Sequence, residues 1–246
     1  MNKLISIVIM LSVLPLISCA QEMTYEMFLD NHIEARGGRE AIENVFSVTT
    51  EIEIQEGERK MVGFFRANRD GQMRIDVFVE GERVFTEALT SINEGWQLDG
   101  GETVPKTLSD QGMANLQKAV HTNVYGLHEM EGLGYQIKFL GLKNFRDNMH
   151  WAIDLISPNG QSERLFYDQK KFLKVGSMDE SALHVDVDPT KTLNASMTKN
   201  HMMVDGVMFS FGDEVINLRT NSIIQTSNVI KIEVNKAQNP DQFLTP

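Results

Sequence analysis

Residues 46–55 read FSVTTEIEIQ, and this stretch decides the fold because its apolar and polar side chains alternate. A period of two is typical of a β-strand that buries one face and exposes the other. The stretch therefore predicts a half-buried strand, with Ser47, Thr49, Glu51, Glu53 and Gln55 facing water. The buried face would carry Phe46, Val48, Thr50, Ile52 and Ile54.

The same alternation recurs downstream and predicts a meander of antiparallel strands. It is found in residues 61–67, 73–79 and 84–92, and the runs are separated by turn residues such as Asp70-Gly71. Asn159-Gly160 is a hairpin signal between two later strands. Further strands are predicted at 96–98, 135–139, 149–155, 163–168, 172–178, 193–199, 207–211 and 229–234.

Helical patterns are few. Residues 24–35 predict a helix that Thr24 caps and Gly37-Gly38 ends, and residues 39–45 predict a second short helix. Residues 106–120 lose the period of two and predict a mid-chain helix. The fold class is therefore mainly β (α+β), a curled antiparallel sheet of about ten strands. The spacing alone leaves open whether its interior is solid or a cavity.

Charge and cysteine content exclude several classes of protein. The 34 acidic residues outnumber the 23 basic residues, which gives a net charge of −11. This balance opposes binding to nucleic acid, which requires clustered Lys and Arg. The single cysteine excludes an internal disulfide and a thiolate zinc site.

The N-terminus explains that cysteine. Lys3 precedes an apolar run over residues 4–14, and Leu16-Ile17-Ser18-Cys19 follows. This arrangement resembles a bacterial lipoprotein signal peptide. The resemblance implies that residues 1–18 are the signal peptide, that Cys19 is acylated and becomes the mature N-terminus, and that residues 19–23 form the anchor and a short tether. Several acyl chains give durable attachment to a membrane.

Ala20 follows the lipidated position, which in such lipoproteins favours the outer membrane over the inner one. We therefore expect a protein of the bacterial cell envelope, lipid-anchored to the outer membrane and facing the periplasm. We also expect it to be a monomer.

Short motifs spread over the mature chain resemble the LolA/LolB-like outer-membrane lipoprotein-sorting superfamily. Each motif is weak, and their order and spacing carry the resemblance. They are Glu34-Ala35-Arg36-Gly37-Gly38, Asn93-Glu94-Gly95-Trp96, Phe166-Tyr167-Asp168, Val204-Asp205-Gly206-Val207-Met208-Phe209, Ile232-Glu233-Val234-Asn235 and Gln242-Phe243-Leu244-Thr245-Pro246.

This resemblance implies a single domain over residues 24–246, an open half-barrel with the N-terminal and mid-chain helices as its lid. It implies an apolar cavity that binds or transfers a hydrophobic ligand, such as lipid or lipoprotein acyl chains, without enzymatic chemistry. Because the soluble carrier of the family has no anchor and the anchored receptor is usually shorter, the resemblance implies an anchored paralogue rather than either of these.

The candidate cavity-lining residues share the inward parity on the predicted strands. The alternative is that the same side chains form a solid core, in an anchored interaction module that binds a protein partner in the envelope. The candidates are Phe65, Ile75, Val77, Trp96, Met149, Trp151 and Ile153.

No catalytic, cofactor or metal site is predicted. No serine lies in a Gly-x-Ser-x-Gly elbow, and no P-loop or dinucleotide fingerprint is present. His184, Asp186 and Asp188 alternate and would share one face of an extended segment. Because Pro189 follows at once and no further ligand is evident, we predict no metal there.

The anchor is testable by the substitution Cys19→Ser. Because the acyl chains lie outside the folded domain, we expect the variant to leave the membrane fraction and to keep its circular dichroism spectrum. Fractionation of cells that express both forms measures this. Variant protein that stays with the membranes would show that Cys19 is not the anchor.

Overall fold

The computed structural model describes residues 22–179, residue 186 and residues 194–245. The α-helices there are α1 (Tyr25–Ala35), α2 (Arg39–Glu43) and α3 (Asp110–Val124), and two 3-10 helices span Leu127–Leu133 and Pro240–Phe243. The strands are β1 (Ser47–Glu56), β2 (Arg59–Asn68), β3 (Met73–Val79), β4 (Glu82–Ser91), β5 (Glu94–Asp99), β6 (Lys106–Thr107), β7 (Gln136–Phe145), β8 (Asn148–Ile156), β9 (Ser162–Tyr167), β10 (Lys174–Asp179), β11 (Asn194–Val204), β12 (Val207–Asn217) and β13 (Ser222–Val234).

All these strands belong to one sheet with the order β6-β5-β4-β3-β2-β1-β13-β12-β11-β10-β9-β8-β7. Every neighbouring pair is antiparallel. The first and last strands of the chain pair at the middle of the sheet, and β6 and β7 are its two edges. The mainly β, open and curled architecture predicted from the sequence is confirmed, with more strands than the ten or so expected.

Side chains cap the first turns of α1 and α3. The Thr24 hydroxyl accepts a hydrogen bond from the Met27 amide at 3.3 Å, as predicted for α1. The mid-chain helix starts later than predicted, because the Ser109 hydroxyl caps it through the Gly112 amide at 3.1 Å. Residues 106–107, assigned to this helix from the sequence, pair with β5 instead. None of the helices in the described ranges has the length and hydrophobicity that crossing a bilayer requires.

Helix α3 lies against the face of the sheet that we call the inner face. Leu116, Val120 and Val124 of α3 pack with Val48, Met73 and other inner side chains of β1–β4 in one buried cluster. Phe46, which the sequence predicts on the buried face of the first strand, does not join the cluster. It precedes β1 and remains 64% exposed, while its amide donates to the Asn235 side chain at 2.6 Å.

Helix α1 covers the other half of the inner face. Phe28 of α1 is fully buried. Its ring lies 5.0 Å from that of Tyr167 and 5.4 Å from that of Phe139. Ile153 and Leu155 complete this second buried cluster.

The C-terminal segment covers the opposite, outer face of β3–β5. The indole Nε1 of Trp96 donates to the Phe243 carbonyl at 3.1 Å, and Arg74 donates to the Gln242 carbonyl at 2.6 Å. Arg74 also binds both carboxylate oxygens of Asp76. Because Phe243 is fully buried, both faces of this part of the sheet are shielded from water.

The end of α1 fits tightly against the turn between β11 and β12. Gly37 has a φ of +112°, and a Cβ atom there would lie 1.9 Å from the Gly206 carbonyl oxygen. The neighbouring Arg36 carbonyl accepts a hydrogen bond from the Met208 amide at 2.9 Å. The missing side chain of Gly37 therefore allows the backbone of α1 to dock on this turn.

We expect Gly37→Ala to lower the free energy of unfolding by more than about 2 kcal/mol, because it adds a clash with backbone to the cost of a positive φ. Gly38→Ala is the matched control. Its φ is +90° but its Cβ would meet nothing within 4 Å, so we expect a loss of about 1 to 2 kcal/mol. Urea unfolding of both variants measures the difference, and equal losses would contradict the docking role of Gly37.

Candidate ligand-binding cavity

A cavity of about 630 Å³ lies between the inner face of the sheet and helices α1 and α3. The sheet supplies its floor, because alternate side chains of the strands point toward the helices. Helix α3 presents Asn115, Ala119 and Thr122 to it from above. The cavity exists because the two helices cover the inner face incompletely.

One side of the cavity, which we call the apolar wall, comes from neighbouring strands β3, β2, β1 and β13. Gly63 has no side chain, and this leaves room for Ile52 and Ile54 of the neighbouring strand. A Cβ atom at position 63 would lie only 2.9 Å from Ile52 Cγ2 and 3.2 Å from Ile54 Cδ1. The wall therefore offers a continuous surface of aliphatic and aromatic carbon. Its members are Val48, Ile52, Ile54, Phe65, Ile75, Val77, Val229 and Ile232.

The other side, which we call the polar wall, comes mainly from β9–β13, with one residue each from α1 and α3. Lys118 of α3 forms ion pairs there with Glu163, at 3.4 Å, and with Asp179. Burial opposes the charge on Lys118, but these two carboxylates outweigh it and raise its pKa. The members of this wall are Arg36, Lys118, Glu163, Lys174, Ser177, Asp179, Ser196, Thr198, His201, Asp213 and Ser227.

Two groups of the cavity lining are disfavoured in their charged forms. Burial, with a smaller effect of the nearby Arg36 charge, lowers the pKa of His32 to about 3, so the ring is neutral at pH 7. Its Nδ1 donates to the Phe172 carbonyl at 2.8 Å. Burial also raises the pKa of Asp213. Burial therefore opposes charge at these two positions of the cavity lining.

Arg69, in the turn between β2 and β3, ties the helical cover to the sheet. Its guanidinium binds the Glu129 carboxylate at 2.6 and 3.1 Å. It also donates to the carbonyls of Val45, at 2.6 Å, and of Val124, at 3.4 Å. The guanidinium carbon lies 4.3 Å from the centre of the Tyr125 ring. One side chain thus connects the end of α2, the end of α3 and the first 3-10 helix.

The structure brings three of the predicted cavity residues together. Phe65, Ile75 and Val77 lie side by side on the apolar wall. Their role in binding a ligand remains a prediction.

Trp96 lies on the opposite face, in contrast to the prediction. It pairs with Ala88, and both belong to a small buried cluster with Leu98. The apolar side chains of β5 face the C-terminal segment, which buries the outer face of the sheet here. Its neighbour Gln97, which the prediction placed outside, is itself 5% exposed.

Met149, Trp151 and Ile153 also do not line the cavity. Trp151 and Ile153 have the predicted inward parity, but helix α1 fills the space above them through Phe28. Met149 lies at the end of the β7–β8 hairpin and is 45% exposed. This part of the inner face is therefore a solid core.

The polar wall was missed by the sequence reasoning. Its signal was present, because the later strands carry Ser177, Ser196 and Thr198 at positions where an entirely apolar core would need large hydrophobic residues. Cys19, His184 and Asp188 lie outside the described residues. The Asp186 carboxylate accepts a hydrogen bond from the Ser109 amide at 3.1 Å. The described ranges contain no group of three His, Cys, Asp or Glu side chains placed to hold a metal ion.

Comparison with solved structures shows a shared fold. A LolA superfamily protein from Nitrosomonas europaea matches with a TM-score of 0.58 and 13% identity, over 90% of this chain and 98% of that chain. The chain has the LolA-superfamily fold. A DUF1329 family protein from Desulfovibrio piger matches with a TM-score of 0.56 and 10% identity, over 89% and 96% of the two chains.

A domain from Vibrio parahaemolyticus, described as an outer membrane lipoprotein-sorting protein domain, matches this chain with a TM-score of 0.55 and 10% identity. The match covers 87% of this chain and 95% of that domain. No protein-family model matches the chain, and no curated protein matches it in sequence. At these identities the comparisons establish the fold and leave the ligand to be argued from the cavity.

The contacts of Arg69 predict that this side chain holds α2, α3 and the first 3-10 helix on the sheet. We expect Arg69→Met to lower the free energy of unfolding by about 3 kcal/mol, because it leaves Glu129 unpaired in a partly buried site. Amide exchange in α3 and in the 3-10 helix Leu127–Leu133 should become faster. Arg66→Met is the control. Its partner Asp76 keeps Arg74, so we expect a loss below about 1 kcal/mol.

This effect should depend on pH. Burial raises the pKa of Glu129, but hydrogen bonds from Arg69 and from the Gly126 amide outweigh it and hold the pKa below 4.5. The stabilisation is therefore complete above pH 4.5 and is lost as the pH falls through the lowered pKa. The stabilities of the wild type and Arg69→Met should converge in acid. A difference that is constant down to pH 2 would contradict the ion pair as its source.

Proposed function

We propose that the protein is a lipid-anchored lipoprotein of the bacterial envelope that binds or transfers a hydrophobic ligand, either lipid or lipoprotein acyl chains, in the cavity under α3. The observation that carries the proposal is the apolar wall on β1–β3 and β13, of which α3 covers only part. Burial of apolar surface contributes about 25 cal/mol per Å². An acyl chain laid on this wall would therefore bind without any polar contact.

The fold supports a binding role of this kind. The Vibrio parahaemolyticus domain that shares it is described as a lipoprotein-sorting domain, and acyl chains are the hydrophobic part of a lipoprotein. The cavity argues against a solid-cored interaction module. We propose a role without catalysis, with residues 24–246 as one domain, attachment to the outer membrane through Cys19 on the periplasmic side, and a monomeric state.

The proposal is tested by filling the cavity. Val229 lies on the apolar wall, and the adjacent Ile230, at the bulge of β13, is 51% exposed and does not line the cavity. Trp at position 229 would displace part of a bound chain. Because each buried methylene contributes about 0.8 kcal/mol, the loss of two methylene contacts would weaken binding about tenfold.

The measurement is native mass spectrometry of the Cys19→Ser chain, with co-purified lipid and added palmitic acid as the observed ligands. We expect lipid on the parent chain and on Ile230→Trp, and strongly reduced occupancy on Val229→Trp. A parent chain that carries no lipid and takes up no added acyl compound would refute the proposed function. Equal occupancy of the two Trp variants would place the ligand elsewhere.

A further inference from the structure

Arg36 is a cation of the cavity lining that forms no ion pair with a carboxylate of the described residues. It follows the last residue of α1, is partly buried and lies on the polar wall. Its side chain makes no ion pair or hydrogen bond with any described residue. Glu129 contributes a favourable charge, but that carboxylate is bound to Arg69 at 2.6 Å. Burial, the largest influence, lowers the pKa of Arg36, and the charges of Tyr167 and Glu129 offset only part of this desolvation cost.

The polar wall carries a second cation. Lys174 begins β10 and lines the same wall, and its ammonium group forms no ion pair within the described residues. Burial lowers the pKa of His201 in this wall, and the positive charges of Arg36 and Lys174 both add to that effect. Both cations also lie on the polar wall, where Lys174 is opposite Tyr167 of β9 and the Arg36 backbone is hydrogen-bonded to Met208 of β12.

The acidic side chains of the wall do not neutralise this pair of cations. Glu163 and Asp179 are bound to Lys118. Asp213 lies within reach of the Lys174 charge, but among the described residues it forms no ion pair with Lys174 and instead accepts a hydrogen bond from the Ser210 hydroxyl at 3.5 Å. The region around Arg36 and Lys174 is therefore suited to an anion brought by a ligand, whereas the region around Lys118 is already satisfied.

We propose that the cavity binds an amphiphile with an anionic headgroup, a carboxylate or a phosphate, which Arg36 and Lys174 hold while its acyl chain lies on the apolar wall. This inference rests on the proposed function and specifies the ligand class. A guanidinium binds either anion with two parallel hydrogen bonds, which Arg provides better than Lys. The opposite placement of the two walls matches the two ends of such a molecule.

The test compares ligands with the same chain and different headgroups on the Cys19→Ser chain. Palmitic acid and 1-palmitoyl-glycerol-3-phosphate are anionic, and hexadecanol is neutral. Each competes with 1-N-phenylnaphthylamine, an uncharged fluorescent probe of apolar cavities. Because a hydrogen-bonded charge contributes about 1.5 to 3 kcal/mol, we expect at least one anionic ligand to displace the probe at concentrations at least about tenfold lower than hexadecanol does.

Substitutions of Arg36 test whether this residue causes the preference for anionic headgroups. Arg36→Gln should reduce the preference to less than about threefold while hexadecanol binds as before, and Arg36→Lys should retain part of it. Arg39→Gln is the matched control, because Arg39 is exposed and pairs with Glu43 at 3.7 Å. Its preference should equal that of the parent chain. Thermal unfolding checks that each variant is folded.

Several outcomes would overturn the proposal. They are equal displacement by hexadecanol and both anionic ligands on the parent chain, a preference that survives in Arg36→Gln, or displacement of the probe by inorganic phosphate alone. The last would indicate a simple anion site. If none of the acyl compounds displaces the probe, the proposed function itself fails, so the two failures are distinguishable.

Discussion

Burial of the inner face of the sheet is the constraint on which the rest of this structure depends. Thirteen antiparallel strands present one apolar side that water must not reach, and the described chain has only two α-helices longer than two turns to cover it. Helix α1 meets the constraint by filling its half with Phe28. Helix α3 packs on β1–β4 through one stripe of side chains, and the part of the inner face beside this stripe remains a cavity.

The two walls of that cavity differ in what they require energetically. The apolar wall loses favourable burial while it faces water, and a ligand that covers it recovers this free energy. The polar wall loses hydration as the cavity closes, so each of its charges needs a partner. Lys118 has two such partners, whereas Arg36 has no ion-pair partner among the residues that the structure describes. A hydrocarbon alone would satisfy only the first wall.

The period of two predicted most strands and the inner side of β1–β3, because those strands have one dry face and one wet face. The same rule failed at Trp96, where the C-terminal segment buries the outer face and the apolar parity no longer marks the cavity. At Ile153 the predicted inward direction is correct, but α1 covers the side chain, and parity does not indicate which helix covers a residue. The polar wall combines the consecutive strands β9–β13 with Arg36 and Lys118, and no local pattern shows that their polar side chains face a cavity.

The fold and the site share one close contact. Gly37 lets α1 end against the β11–β12 turn, and the Arg36 carbonyl is held there by the Met208 amide. The backbone of Arg36 is therefore positioned by packing that no ligand is needed to form. Rigid placement reduces the conformational entropy lost on binding. The contact that ends the helix thus also presents the guanidinium to the cavity before any anion arrives.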